Sequence, residues 1–333
     1  MDPIELTRAL VARESPTFAE APATDYVAGL LDRAGWKVTR QTVTAGRENL
    51  YAYREHPALV YSTHLDCVPP YVPLREDDEW LYGRGTCDAK GLAAAMMAAA
   101  ERLALQGERR IGLLFVVGEE NGSDGALAAA ALEPKGRFFI NGEPTENRLS
   151  IGQKGSLRLD LSAEGRAAHS AYPEEGVSAI SALLETLERI RRLPLPSDPL
   201  LGPSTMNIGT IEGGVAPNVI APSARAQVHF RTVGPTAPLR HAVDATLAPG
   251  VIITGDVELP SYKSAAPPGW ETTFVAYASD LPFFGAWGRG YQLGPGSIRV
   301  AHTDDERIRK ADLLRGVELY MKLATDLLAE ETT

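Results

Sequence analysis

A chain of 333 residues is long for a single core, so two domains, or one domain carrying a large insertion, are expected. Its 33 basic against 43 acidic residues leave a net charge of −10 and a pI near 5.2, which argues against a nucleic-acid partner, since phosphate binding needs a basic patch. The start of the chain shows no basic segment followed by an apolar one, and no apolar run is long enough to span a bilayer, so no membrane association and a cytoplasmic location are expected.

In chain order, Asp2-Pro3 reads as an N-cap with proline at the first helical position, opening a helix to about Arg13. A second amphipathic helix carries Tyr26, Leu30 and Leu31 and stops at Gly35; Trp36 to Val43 reads as a strand. Ala58 to Thr63 is the next strand and runs into His64-Leu65-Asp66. The i, i+2 spacing sets His64 and Asp66 on one side of an extended chain, as a metal-ligating imidazole with its orienting carboxylate or as a satisfied histidine at a strand end. Asp88 follows in a glycine-punctuated turn, Gly83 to Gly91, that feeds a small-residue helix from Leu92 to Leu105. That turn lacks the spacing of either a P-loop or a dinucleotide fingerprint.

Ile111 to Val117 is a continuous apolar run, the pattern of a strand buried on both faces. Gly118 ends it and two carboxylates follow, Glu119 and Glu120. Extended backbone would aim them in opposite directions, one toward a metal and one toward the proton of a bound water; a solvated loop is the plainer alternative. Ser123 or Asp124 caps a helix predicted through Leu132, and the strand Phe138 to Asn141 ends at Glu143. His64, Asp88, Glu119, Glu120 and Glu143 thus all fall at strand ends of a β-α alternation, the edge where open α/β sheets bind ligands. Cys67 and Cys87 are too few for a disulfide framework and read as small buried fillers rather than metal thiolates.

The texture changes at Ser156. Strands at 156–164, 205–211, 224–231 and 251–257 alternate with helices at 177–193 and 237–247, the βαββαβ order of a ferredoxin-like unit. The predicted fold is therefore an open, mostly parallel α/β sheet flanked by helices, residues 1–155 and 264–333, with an inserted α+β domain over 156–263. A closing helix runs from Lys310 to about Leu328.

Five motifs taken together, Ser62 to Pro69, Gly83 to Gly91, Gly118-Glu119-Glu120, Gly142 to Thr145 and Ala301 to Glu306, resemble the M20 family of metallopeptidases and amidohydrolases. The resemblance covers nearly the whole chain and implies two divalent metal ions, zinc or cobalt. It implies Asp88 as the bridging ligand, His64 and Glu143 completing one site, and Glu120 and His302 the other. Glu119 is then the general base, taking the proton of a metal-bridging water that attacks an amide and returning it to the leaving nitrogen, with Asp66 supporting His64. The inserted domain is implied to act as lid and homodimer contact, with His169 reaching the partner subunit's reaction centre to stabilise an oxyanion. Asn218 and Arg231, the latter gripping a substrate carboxylate, are implied substrate contacts, together with Gly294, Gly296 and Ser297. The resemblance also implies a cis peptide between Asp88 and Ala89. His56, His229 and His241 have no motif support. Within the family, the segment from Gly294 to Glu306 is most similar to the acetylornithine deacetylase branch, beside acetyl-lysine deacetylases and succinyl-diaminopimelate desuccinylases. The expected reaction is Nα-deacylation of a small N-acyl basic amino acid; a dipeptidase on the same scaffold and a non-catalytic metal-binding module are the alternatives.

Overall fold

The computed structural model describes residues 1–330 and divides into two compact units. The first comprises Met1–Ile151, Ser264–Thr273 and the chain from Ser279 onward; the second comprises Gly152–Lys263 and Phe274–Ala278.

The first unit begins with α1 (Pro3–Val11), where the Asp2 carboxylate accepts from the Ile4 and Glu5 amides, followed by α2 (Ala21–Arg33). Strands β1 (Lys37–Thr44), β2 (Arg47–Tyr53), β3 (Leu59–His64), β4 (Arg75–Glu76) and β5 (Trp80–Tyr82) precede α3 (Lys90–Leu105). Then come β6 (Ile111–Val116), α4 (Asp124–Ala129), β7 (Phe138–Gly142) and β8 (Leu149–Gln153). The second unit supplies β9 (Gly155–Glu164), α5 (Ala179–Arg191), the two-residue strands β10 (Ser197–Asp198) and β11 (Gly202–Pro203), β12 (Thr205–Gly213), β13 (Ser223–Thr232), α6 (Ala237–Asp244), β14 (Val251–Leu259) and β15 (Tyr262–Lys263). The chain closes with β16 (Thr272–Val275), β17 (Arg289–Leu293), β18 (Arg307–Arg309) and α7 (Lys310–Ala329).

The main sheet runs β1-β2-β6-β3-β7-β17-β8. Its centre, β6-β3-β7-β17, is parallel, and β3 and β6 are buried along their full length, as continuous apolar runs require. Parallel strands end on one edge, so His64, Gly118, Glu143 and Gly294 emerge side by side. The alanine-rich α3 packs against this sheet and α7. A Cβ at Gly91 in its first turn would lie 2.1 Å from the Thr86 carbonyl oxygen, so only glycine lets the helix start that close to the turn bearing Asp88.

In the second unit the sheet order β12-β13-β9-β14, antiparallel throughout, is the ferredoxin-like arrangement. One face of β9 and β13 buries Leu157, Leu159, Leu161, Val228 and Phe230 with residues of α5 and α6; the alternate residues are polar and more open. Three features of the first unit differ from the sequence reading. The helix expected from Ser123 to Leu132 ends at Ala129, and Ser123, with φ of 59°, makes no side-chain cap. Strand β2 and the small sheet β18-β5-β4 also differ from that reading: β2 opens on the polar Arg47-Glu48-Asn49 and has only a short apolar run, and the strands of the small sheet are only two or three residues long. No helix among the described residues is long and apolar enough to cross a membrane.

Candidate metal centre

Two groups of ligand-type side chains converge at the sheet edge and share one carboxylate. His64, Asp88 and Glu143 form one group; Asp88, Glu120 and His302 form the other, with the donor atoms of each group within 4.8 Å of one another. Asp88 divides its oxygens between them: Oδ1 lies 3.1 Å from His64 Nε2 and Oδ2 lies 3.3 Å from His302 Nε2. His302 Nε2 is also 3.0 Å from Glu120 Oε1.

Each donor is held by its own local geometry. His64 ends β3, and its Nδ1 bonds the Asp66 carbonyl oxygen at 3.0 Å, with the Asp66 carboxylate 3.4 Å away, which leaves Nε2 facing Asp88. The peptide between Asp88 and Ala89 is cis. The Asp88 turn is anchored by Glu306, whose Oε1 accepts from the amides of Gly85, Cys87 and Asp88 while Oε2 pairs with buried Arg84 at 2.7 Å. Glu143 follows β7 directly, and the Asn141 amide nitrogen reaches toward its Oε1 at 3.4 Å.

Glu119 and Glu120 are not on extended backbone. The strand stops at Val116, and Glu119–Asn121 form a single 3₁₀ turn, so helical rotation separates the two carboxylates. Gly118 makes the corner with φ of 74°, and a Cβ there would sit 2.1 Å from Asp124 Oδ1. The turn is fixed at a distance: Asp66 Oδ1 accepts from the Glu119 amide and Oδ2 from the Glu120 amide, both at 3.2 Å, while Thr17 donates to Oδ2. Asp66 therefore orients both an imidazole and the acidic pair.

Six carboxylates crowd two imidazoles here, and their proton affinities show a site short of positive charge. Burial, reinforced by Glu143, pushes Glu119 well above the usual carboxylate range; burial and Asp88 do the same to Glu143 and raise Glu120. Asp88 goes the other way, because His302 and His64 outweigh the cost of its burial. Burial works against charge on His64, yet Asp66 and Asp88 push its imidazole well up; contacts with Asp88 and Glu120 raise His302 to about 10. A further buried acid, Asp280, is pushed up to about 7 by burial; neither of its oxygens has a hydrogen-bond partner of good geometry, although the Ser123 hydroxyl tempers the shift. A buried excess of carboxylate around two imidazoles, sharing one bridging acid, has the donor chemistry of a pair of hard to intermediate divalent cations.

Cys67 and Cys87 are buried free thiols; burial raises Cys67 to about 12 and Cys87 well above its ordinary value, so both stay protonated, as fillers do. In the second unit, His169 is exposed on a loop clasped to the loop of Asn218: the Ser170 amide donates to the Asn218 carbonyl at 3.0 Å, and Ile220 to that of Ala168 at 2.9 Å. Arg231 lies on β13 directly opposite Ser156 of β9, and His229, two pairs along and on the same face, bonds Ser156 Oγ at 2.7 Å. Gly294, Gly296 and Ser297 form the loop after β17, bonded to the turn after Glu143: the Thr145 amide donates to the Gly294 carbonyl and that of Glu146 to Gly296. The anchoring role of Glu306, the second role of Asp66 and the presence of Asp280 were not read from the sequence. Each depends on pairing between distant segments, Arg84 with Glu306 being 222 positions apart.

The sequence model of peptidase family M20/M25/M40 matches residues 60–326. A peptidase M20 domain-containing protein of Schizosaccharomyces pombe is 37% identical over 96% of this chain and 83% of its own length. A probable carboxypeptidase of Aspergillus flavus is 37% identical over 95% of this chain and 85% of its own. Among solved structures, a tripeptidase from Staphylococcus aureus superposes with a TM-score of 0.81 at 22% identity, covering 98% of both chains. A dinuclear metal-binding M20 peptidase from Bacillus subtilis does so with a TM-score of 0.66 at 15% identity, covering 98% of this chain and 97% of that one.

Proposed function

This chain belongs to peptidase family M20/M25/M40, metal-dependent peptidases and amidohydrolases, and from that premise we propose that it hydrolyses an amide whose nitrogen belongs to an amino acid with a free α-carboxylate. An N-acyl amino acid and the C-terminal residue of a peptide share that chemistry. The observation that carries the reading is the pair of three-donor sets joined at Asp88 with Glu119 on the adjoining turn.

His64, Asp88 and Glu143 would hold one divalent cation, and Asp88, Glu120 and His302 a second, with zinc or cobalt suited to the donors. When bound, such ions supply Lewis acidity, polarising an amide carbonyl and making water more acidic. Glu119, on the adjoining turn and outside both donor sets, does the remaining work: it takes a proton from the attacking water and delivers it to the leaving nitrogen. Asp66 keeps Glu119 in place through the turn amide. Arg231, with Asn218, carries the α-carboxylate, to which a guanidinium fork is matched. His169 stabilises the oxyanion across a homodimer formed through the second unit, and Gly294, Gly296 and Ser297 border the substrate.

Two substrate readings divide on the acyl side. The relatives named carboxypeptidases favour a peptidyl group. The segment Gly294 to Glu306 favours a small acyl group, with N-acetylornithine as the leading substrate and N-acetyllysine or N-succinyl-diaminopimelate next. Assaying these three beside a panel of di- and tripeptides decides between them. Faster turnover of peptides selects the carboxypeptidase reading. Equal turnover of substrates whose α-carboxylate is amidated would remove both.

A further inference from the structure

A cavity of about 520 Å³ opens in the first unit, lined by Trp80, Ser297, Arg307, Arg309, Asp312 and Arg315 among others. That volume suits a small organic ligand. The small sheet places two of its cations: Arg309 stands opposite Trp80 and Arg307 opposite Tyr82, so both share the indole's face of the sheet. Their guanidinium carbons each lie 5.4 Å from the centre of the Trp80 ring, which orients them through cation–π contact. Arg315 projects from α7. The partners of these arginines are surface acids: Asp305 for Arg307, Glu79 at 3.6 Å for Arg309 and Glu318 at 2.8 Å for Arg315. Exposed pairs of this kind hold weakly and exchange readily. Asp312, in the first turn of α7, has a carboxylate with no hydrogen bond or ion pair among the described residues.

Three guanidiniums and a carboxylate without a side-chain partner line one cavity, the charge set that complements a zwitterion. We infer that this cavity binds a free α-amino acid, its carboxylate on Arg307, Arg309 and Arg315 and its ammonium on Asp312. The site adjoins the metal centre through the backbone. Ser297 belongs to the loop that continues to His302, and its hydroxyl donates to Glu146, three residues after Glu143, at 2.8 Å. The Asn147 amide donates to the Gly294 carbonyl at 2.9 Å, so the segments leading to two ligand-type residues are clasped at the cavity wall. An amino acid bound there pulls on both. Under the proposed function it is also the product, and the site then senses product; that clause rests on the proposed function, whereas the binding does not.

Calorimetric titration of the 333-residue chain with L-leucine and L-ornithine tests the site, using Arg309→Ala and Asp312→Asn, which sit on different elements. Saturable binding is expected in the wild type and at least tenfold weaker binding in each variant, with kcat and KM in the absence of added amino acid within twofold of wild type. Added amino acid should lower kcat in the wild type and only raise KM in the variants. Unchanged affinity in both variants, no saturable binding in the wild type, or equal affinity for L-leucinamide, which lacks the carboxylate, would overturn the inference. These binding readings stand even where no substrate is turned over, so failure of this site and failure of the proposed function are separate results.

Discussion

The two halves of the acidic centre use the same chemistry on unequal foundations. His64 and Glu143 are 1% and 4% exposed and sit at the ends of adjacent parallel strands, where sheet hydrogen bonds fix the backbone. Glu120 lies on a single 3₁₀ turn, and the His302 side chain is 48% exposed on a loop where its own φ is 63°. Asp88 belongs to both halves and is braced by Glu306. The difference sets tightness against access: under the proposed function, a cation on the first half should be held more firmly than one on the second, which lies more open to solvent.

Removing the shared member erases the distinction. Asp88→Ala should cut turnover by more than about 10⁴-fold and drop bound metal from two equivalents to fewer than one by elemental analysis. Glu119→Gln should cost roughly 10³-fold in kcat while both equivalents remain, because in the proposed mechanism this carboxylate moves protons and it lies outside both donor sets. Loss of metal in that variant would move Glu119 into the ligand set. The comparison sharpens with single histidines. His302→Ala should lose one equivalent and keep the wild-type melting temperature within a few degrees, whereas His64→Ala, emptying a buried site, should lose metal and also lower stability by roughly 2–3 kcal/mol. Graded chelation should likewise remove one equivalent well before the second.

The smallest effect concerns Asp280 in the chelated protein. Its carboxyl holds a proton up to about pH 7 in the folded state, against about 4 when unfolded. The folded state therefore binds more protons between these values, and stability falls as pH rises from about 4 to about 7, the loss being complete above that window. Asp280→Asn should make this slope shallower, the raised Glu119, Glu120 and Glu143 keeping their share of it, and stabilise the chelated protein at pH 8 by on the order of 2 kcal/mol, read by denaturant titration. An unchanged slope would show that Asp280 is not the group responsible.

Much of this was legible in the chain because its signals are local. Continuous apolar runs marked β3 and β6, Gly118 marked the stop of β6, and a histidine or a carboxylate stood at each C-terminal end. The βαββαβ order of the second unit followed from period alone. What stayed hidden was non-local or conformational. Extended geometry was assumed for Glu119 and Glu120, but Gly118 turns the backbone into the left-handed region and Asp66, more than fifty residues earlier, supplies the acceptors that wind the next residues into a turn. Glu306 closes the segment from Ala301, but its anchoring role is not local, because its partners are the amides of a turn 218 to 221 positions away. Arg307, Arg309 and Trp80 became neighbours only through a short sheet whose strands are too brief to carry a pattern.

Anomalous diffraction from crystals loaded with cobalt tests the central claim most directly. Two peaks flanking the Asp88 carboxylate are predicted, with the higher occupancy on the side of His64 and Glu143. A fully active crystal form with no peak beside Asp88, or with its ions bound elsewhere on the chain, would contradict it.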